Sequence, residues 1–502
     1  LADHRTIELE RPEDLPAAAA ALDLALAMIV ASDEEGRLVV RYLFEPAWPP
    51  FDDRFTTLVV TLDPARPEVP SLTRAFPAAN WHEREAQDLL GVVPVGHPDP
   101  RPLVLHEGWP RGLHPLRKSF DLTGRVAREP AEEFPHLVVE GEGVFEIPVG
   151  PIHAGIIEPG HFRFSSVGET VLDLQPRLFY THRGLEKRMV GLSATDGFFV
   201  AERICGVCSV AHGLGYCEAV EQIAGVEVPA RARIVRAIAL ELERLYNHVG
   251  DVGNICAGAS YHYGTSAGLR IKEALQQLNE RVTGNRFLRG LLVPGGVLRD
   301  LPTEILRDID AALRATEDAL AALAHRIDSN PTVVDRLDDT GLLPRQAAVD
   351  LGVTGVAARA SGVDRDARRD HPHAGFAEEP PRVVVLEEGD VNARRKLREA
   401  EAHEAIRLIR KLAARLEPGP LVAPLPDPLP ARGIGVAAIE SPRGAAIHWL
   451  RSDARGRIDR YHLRSASFAN WPAVPIAAQS AIVPDFPLVN KSFELCYSCT
   501  DR

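Results

Sequence analysis

The chain has 502 residues, 45% of them hydrophobic and 25% charged, with a net charge of −13. That length exceeds one ordinary hydrophobic core and predicts two or more folded domains. The negative balance excludes a general nucleic-acid binder, because a phosphate backbone would be repelled rather than neutralised. No stretch of the sequence reaches the roughly 18 consecutive apolar residues that a bilayer-spanning helix needs, so membrane association is expected only through partner proteins.

The opening LADHRTIELERPEDLP has no basic segment ahead of an apolar core and does not read as a secretory signal. The apolar run over 17–32, interrupted by Asp23, reads as a buried helix over 17–31. RLVVRYLF and FTTLVVTLD then carry the β-branched and aromatic content of strands. From Pro94 onward Pro and Gly crowd the sequence, which predicts turns and extended chain. These features predict a small α/β domain over 1–125 and a charged connector over 126–145.

The remainder, 146–502, reads as a large, mainly helical domain with peripheral strands, so the fold class is α+β. A strand followed by a helix is expected within 170–200. Ile234, Ile238, Leu242 and Leu245 recur at helical spacing and predict a helix over 230–256. Helices are likewise expected over 269–282 and 302–328, the latter stopped by Ser-Asn-Pro. A further long helix over 393–416 is rich in charge on one face. Arg, Asp, His and Pro cluster without periodicity over 359–381, which reads as a surface loop carrying a local basic patch from Arg359 to Arg369.

Six cysteines are too few for a disulfide scaffold in a chain of this length. Cys217 and Cys256 stand alone and read as buried residues. The other four form two CxxC pairs, Cys205/Cys208 in Arg-Ile-Cys-Gly-Val-Cys and Cys496/Cys499 in Cys-Tyr-Ser-Cys. Two thiols separated by two residues point the same way from one turn and can grip a soft metal ion. Zinc ribbons usually place their two pairs about 15–20 residues apart, whereas these pairs stand at opposite ends of the second domain. Three readings follow from the residues alone: a zinc site, two idle pairs, or a bimetallic centre assembled from both ends.

RICGVC followed by His212, together with the late CYSCTDR, resembles the nickel-ligating pairs of the nickel–iron hydrogenase large subunit, in its energy-converting, formate hydrogenlyase class. The resemblance extends over essentially the whole chain. It implies that Cys205 and Cys496 are terminal nickel ligands, and that Cys208 and Cys499 bridge nickel to an iron carrying cyanide and carbon monoxide. Ile157-Glu158-Pro159-Gly160-His161 resembles the family's proton-relay motif, with Glu158 as the carboxylate, and the preceding GPIHAG a turn shared with complex I. Glu440-Ser441-Pro442-Arg443-Gly444 resembles the motif whose guanidinium overhangs the metal pair, and Asp251 is a candidate to face that guanidinium. The family's Asp-Pro before the third cysteine is replaced here by Glu494-Leu495, so Glu494 is expected to face Arg443. His212 is implied as a donor to a bridging sulfur.

Asn80-Trp81-His82-Glu83-Arg84-Glu85-Ala86-Gln87-Asp88, with Gly96-His97-Pro98-Asp99, resembles the small hydrophilic subunit of complex I. The charges over 83–88 read as a docking surface with structural ion pairs. Complex I relatives share the Ala360-Ser361-Gly362 turn but lack the cysteines, and a complex I-like, metal-free quinone-site subunit is the alternative function. The resemblance implies interconversion of protons and electrons with H2, and an iron–sulfur small subunit and ferredoxin-like subunits that hold the iron–sulfur clusters. It also implies membrane-arm subunits, a place on the cytoplasmic face of the cell membrane, and no nucleic acid. Family members lose a C-terminal extension to a maturation endopeptidase, and a sequence stopping three residues after Cys499 resembles the processed form.

Overall fold

The computed structural model describes residues 4–49, 51, 54–131, 133–154 and 157–502. Gly155, which ends the GPIHAG turn, lies outside the described residues.

The first part of the chain forms a four-stranded sheet. Its strands are Arg5–Leu9 (β1), Ala25–Glu34 (β2), Arg37–Glu45 (β3) and Thr56–Leu62 (β4), in the order β1-β4-β3-β2. β1 runs parallel to β4, and the other neighbours are antiparallel. Leu15–Ala20 (α1) and Ala79–Leu90 (α2) cover one face.

The run expected as a helix over 17–31 is therefore divided. Only its first residues are helical, Asp23 turns the chain with a φ of 51°, and the rest is β2. The physical reason is burial on both faces. Leu26, Ile29 and Ala31 face the core under α1 and α2, while Ala27, Met28 and Val30 pack against Ile447 and Trp449 of a later sheet. A strand covered on both sides is continuously apolar and loses the period of two that distinguishes it from a helix. Each large apolar side chain buried in this way contributes about 1.5–3 kcal/mol.

A three-stranded antiparallel sheet follows, made of Val144–Val149 (β5), His161–Val167 (β6) and Thr170–Arg177 (β7). The main body is built on Ser209–Ala224 (α3), Ala230–Gly258 (α4), His262–Thr283 (α5), Thr303–Asp328 (α6) and Val391–Ala413 (α7). Another antiparallel sheet closes it, formed by Ile434–Ser441 (β8), Gly444–Ser452 (β9) and Ile458–Arg464 (β10). The chain ends in Phe486–Phe493 (α8) and the single turn Tyr497–Asp501 (α9). The largest core surrounds α3 and α4 and includes Cys205, Cys208 and Cys499. No helix among the described residues is long and apolar enough to cross a membrane.

Two charged segments expected at the surface are inside. Within 359–381, Arg359, Asp366, Arg368 and Asp370 are buried. Arg359 pairs with Glu401 at 2.7 Å and Glu440 at 2.9 Å, and Arg368 pairs with Asp366 at 2.6 Å and Glu241 at 3.1 Å. Composition marks such a segment as solvated, but these charges neutralise one another in the interior. The Glu83–Asp88 segment is likewise no docking surface, because Glu83, Arg84, Glu85 and Asp88 are buried. Asp88 Oδ2 accepts from the backbone amides of Leu103 and Val104, each at 2.8 Å. The expected ion pairs are present, with Arg84 and Asp99 at 3.2 Å.

Candidate metal centre

The first cysteine pair sits on the turn that opens α3, where Cys208 is the residue before the helix. α4 holds that turn from beneath. Asn247 Nδ2 and the Tyr246 hydroxyl donate to the Val207 carbonyl at 2.8 and 3.2 Å. The Glu243 carboxylate accepts the free amides of Val210 and Ala211 at 2.7 and 2.9 Å, capping the helix as an acid does at a helix N-terminus. Burial pushes Glu243 up to about 8 despite these bonds.

The second pair flanks the start of α9. The Cys496 amide donates to Ser467 Oγ at 3.0 Å, and Ser465 Oγ donates to the Cys499 carbonyl at 2.8 Å. Arg183 ties the two turns together: its Nη2 donates to Ile204 O at 2.7 Å and to Ser498 O at 3.1 Å.

The four thiols converge. Cys205 Sγ and Cys496 Sγ are 3.2 Å apart, and the sulfurs of Cys205, Cys496 and Cys499 lie within 4.8 Å of one another. Cys208, His212 and Cys499 form an overlapping group within the same limit. Two thiolates on one tetrahedral ion, each bound at about 2.3 Å, stand about 3.8 Å apart, so this donor set fits a shared soft metal. Bonds from Cys205 and Cys499 bring Cys208 down to about 6, which favours its thiolate. His212 Nε2 lies 3.2 Å from Cys499 Sγ, while its Nδ1 has no partner among the described residues. Burial, with Arg183 nearby, lowers His212 to about 3, so a neutral ring is placed to donate from Nε2 to the sulfur. By contrast Cys217 and Cys256 are buried away from this group, and burial raises both thiols, Cys256 to about 12.

Arg443 comes from the tight turn between β8 and β9. Gly444 there has a φ of 125°, and a Cβ would meet Thr354 Oγ1 at 2.5 Å, so this corner requires glycine. The Arg443 guanidinium grips Asp251 with both arms: Nη1 donates to Oδ2, and Nη2 donates to Oδ1 at 3.1 Å. Nη2 also donates to Asn247 Oδ1 at 3.3 Å. Burial opposes ionisation of Asp251, but Arg443 and Arg398 outweigh it and hold the carboxyl well below the usual range. Glu494 stands behind this pair, 4.0 Å from Arg443 Nη2, and its Oε1 accepts from Asn254 Nδ2. Asp251 is thus the hydrogen-bonded partner of Arg443, and Glu494 faces the same guanidinium at ion-pair distance, as expected. Burial and the negative Asp251 push Glu494 up to about 7.

Glu158 lies beside the second cysteine turn, where its Oε1 accepts from the Ser498 hydroxyl. Gly160 lets this segment approach, since a Cβ there would meet Tyr497 Cε1 at 2.6 Å. The structure thus brings together Cys205, Cys208, Cys496, Cys499, His212, Arg443, Asp251, Glu494 and Glu158. Sequence reasoning missed Arg183, Glu243 and Ser498. A signal for the α4 face was present, because Glu243, Asn247 and Asp251 recur every four residues along one side of that helix.

Comparisons with known proteins find relatives of two kinds, complex I subunits and hydrogenases. The family model of the respiratory-chain NADH dehydrogenase 30 Kd subunit matches residues 10–126, and that of the 49 Kd subunit matches 264–432 and 427–502. The nickel-dependent hydrogenase model matches 183–251, which includes the first cysteine pair and Asp251. Formate hydrogenlyase subunit 5 of Escherichia coli (strain K12) is 37% identical, over 89% of this chain and 79% of its own length. Hydrogenase-4 component G of the same organism is 34% identical, over 87% of this chain and 76% of its own. A solved chain of an archaeal membrane-bound sulfane sulfur reductase superposes with a TM-score of 0.67 at 26% identity, covering 72% of this chain and 99% of that one. The chain belongs to the family of energy-converting nickel–iron hydrogenase large subunits of the formate hydrogenlyase type, with a complex I 30 Kd-like segment ahead of the hydrogenase part.

Proposed function

We propose that this chain is the catalytic subunit of a membrane-associated hydrogenase complex and interconverts two protons and two electrons with H2. The observation that carries the reading is the convergence of all four CxxC thiols beside a buried, carboxylate-fixed arginine. Cys205 and Cys496 would hold nickel terminally, while Cys208 and Cys499 would bridge to iron bearing cyanide and carbon monoxide. When bound, that pair of metals supplies the soft, redox-active site at which the H–H bond is made or broken.

The chain's own residues supply the remaining requirements. Cys205, Cys208, Cys499, His212 and Asp251 are buried, so bulk water is excluded and fixed charges act at low dielectric. Arg443 is held by two bonds to Asp251 and presents a preorganised positive charge that needs no rearrangement as charge develops. His212 donates to Cys499 Sγ and limits how much negative charge that sulfur carries. Ser498 occupies one oxygen of Glu158 and leaves Oε2 to take or give the proton. Glu158 is half-buried, which suits a group between the thiolates and solvent.

Electrons would pass to an iron–sulfur small subunit and ferredoxin-like subunits. Membrane-arm subunits would hold the complex at the cytoplasmic face of the membrane, and a maturation endopeptidase would process the chain. The alternative, a complex I-like quinone-site subunit, has the 49 Kd and 30 Kd subunit matches in its favour but gives four converging cysteines no task. Hydrogen–deuterium exchange from D2 by the purified complex tests the reading. Exchange dependent on Cys499 supports it, and a nickel-free chain that leaves D2 unchanged overturns it.

A further inference from the structure

The second cysteine turn is anchored from an unexpected direction. Arg502, three residues beyond Cys499, is buried, and its guanidinium reaches two carboxylates from different parts of the chain. Nη2 donates to Glu85 Oε1 of α2, and Nη1 donates to Glu186 Oε1 at 2.9 Å and to the Leu463 carbonyl at 2.6 Å. Phe468 lies under the guanidinium at 4.9 Å. Trp81 and His82 of α2 pack on the same ring, with centroids 5.6 and 5.0 Å away. α2 thus meets Arg502 directly through Glu85 and indirectly through the Phe468 ring beneath the guanidinium.

The segment around Arg502 is tied to the metal centre by its backbone. Arg183 N donates to the Arg502 carbonyl at 2.7 Å, and the Arg183 side chain bridges Ile204 O and Ser498 O. Asp501 accepts from the amides of Phe179 and Thr181 at 3.0 and 2.9 Å. Glu186 is shared, since besides Arg502 it serves Arg460 at 2.6 Å and His462 at 3.0 Å, so it does not compensate for a lost Glu85. Two buried guanidiniums thus share two buried carboxylates, and removing Glu85 leaves Glu186 alone to balance both cations. His82, Glu85 and His462 lie close enough to hold a metal ion, but the Arg502 cation already occupies that carboxylate.

We propose that Glu85, contributed by the complex I 30 Kd-like segment, is a positioning residue for the metal-binding thiolates: it clasps Arg502 and so holds the Cys496–Cys499 turn against Cys205 and Cys208. The inference rests on the metal-centre reading above for its consequence, but not for the clasp itself. It gives the fused segment a task within the catalytic part of the chain.

The test uses the purified full-length chain in its complex as wild type, Glu85→Gln and Glu85→Asp. Amide hydrogen exchange is followed over 496–502 and over β2 and β3, and nickel release to a chelator is timed. Glu85→Gln is isosteric but uncharged, and it is expected to accelerate exchange over 496–502 at least tenfold and nickel release by a similar factor. β2 and β3 should be unchanged, and Glu85→Asp should fall between the two. Unchanged exchange over 496–502 overturns the clasp. Acceleration spread evenly over the chain also overturns it, because Glu85 would then be a general stability residue. A segment that loosens in Glu85→Gln while even the wild type holds no nickel supports the clasp and defeats the metal-centre reading instead.

Discussion

Asp251→Asn is the perturbation that most directly probes the second layer of the centre. The substitution keeps the size of the side chain and removes the charge that two buried guanidiniums share. Arg443 loses a two-armed partner, and Arg398, whose Nε donates to Asp251 Oδ2 at 3.2 Å, loses the same carboxylate. Breaking one side of a buried pair costs about 3–5 kcal/mol. The lower end applies here, because Glu494 stands 4.0 Å from Arg443 and retains some negative charge nearby. A loss of about 3 kcal/mol corresponds to roughly a 150-fold shift in the folding equilibrium. Turnover should fall further, by about 10²–10³, as expected when a preorganised charge loses its fixed position. The assay pairs denaturant unfolding with D2 exchange per nickel bound, and a double-mutant cycle with Arg443→Lys measures the coupling. Arg443→Lys keeps the charge but not the fork, so the two substitutions together should cost less than their sum by about 1–3 kcal/mol. An Asp251→Asn protein that unfolds and turns over like wild type would refute the assignment of Asp251 as the residue that fixes Arg443.

Other outcomes follow from the same geometry. Glu158→Gln should keep nickel bound but lower D2 exchange by about 10²–10⁴, the usual worth of a positioned acid–base group, and unaltered exchange would remove Glu158 from the proton route. Glu494→Asp should retain activity, whereas Glu494→Ala removes a charge behind Arg443 and should slow single-turnover H2 oxidation; equal rates for wild type and Glu494→Ala would exclude the side chain from the chemistry. Burial raises Glu218 to about 7. Its unfolded carboxyl loses its proton near pH 4.3, so the native state loses stability as pH rises from about 4 to 7, and the cost stays constant above that. Glu218→Gln should therefore match wild type near pH 4 and exceed it at pH 8. The gain should be about 1–2 kcal/mol, reduced from the full shift because the residue is half-buried; parallel melting curves at both pH values would contradict this.

The parts of the centre written in contiguous residues were legible in the sequence. The CxxC pairs, the Glu158-Pro159-Gly160 segment and the Pro442-Arg443-Gly444 corner each combine a reactive group with the turn chemistry that presents it. Convergence of the CxxC pairs was not derivable from spacing, because nearly three hundred residues separate them, and only the family resemblance implied it. Local pattern failed where tertiary burial overrode composition. β2 is apolar on both faces and so mimicked a helix, and Arg359 and Arg368 are neutralised inside by Glu401, Glu440, Asp366 and Glu241. Residues that act through backbone carbonyls, such as Arg183, leave no side-chain partner in the sequence to be recognised. Both carboxylates expected to face Arg443 do so, Asp251 by direct hydrogen bonds and Glu494 at 4.0 Å, but the order of the two was not legible because it depends on the register of α4. Asp251 lies one turn beyond Asn247 on the α4 face already turned toward the centre.

The central claim is that the four thiols hold one nickel together. Nickel-edge X-ray absorption on the purified complex, with metal content per chain, tests it most directly. The account predicts about one nickel per chain, bound by four sulfurs at about 2.3 Å, and its loss in Cys499→Ser. A folded wild-type chain that carries zinc or no metal, or nickel bound by nitrogen and oxygen alone, would contradict it.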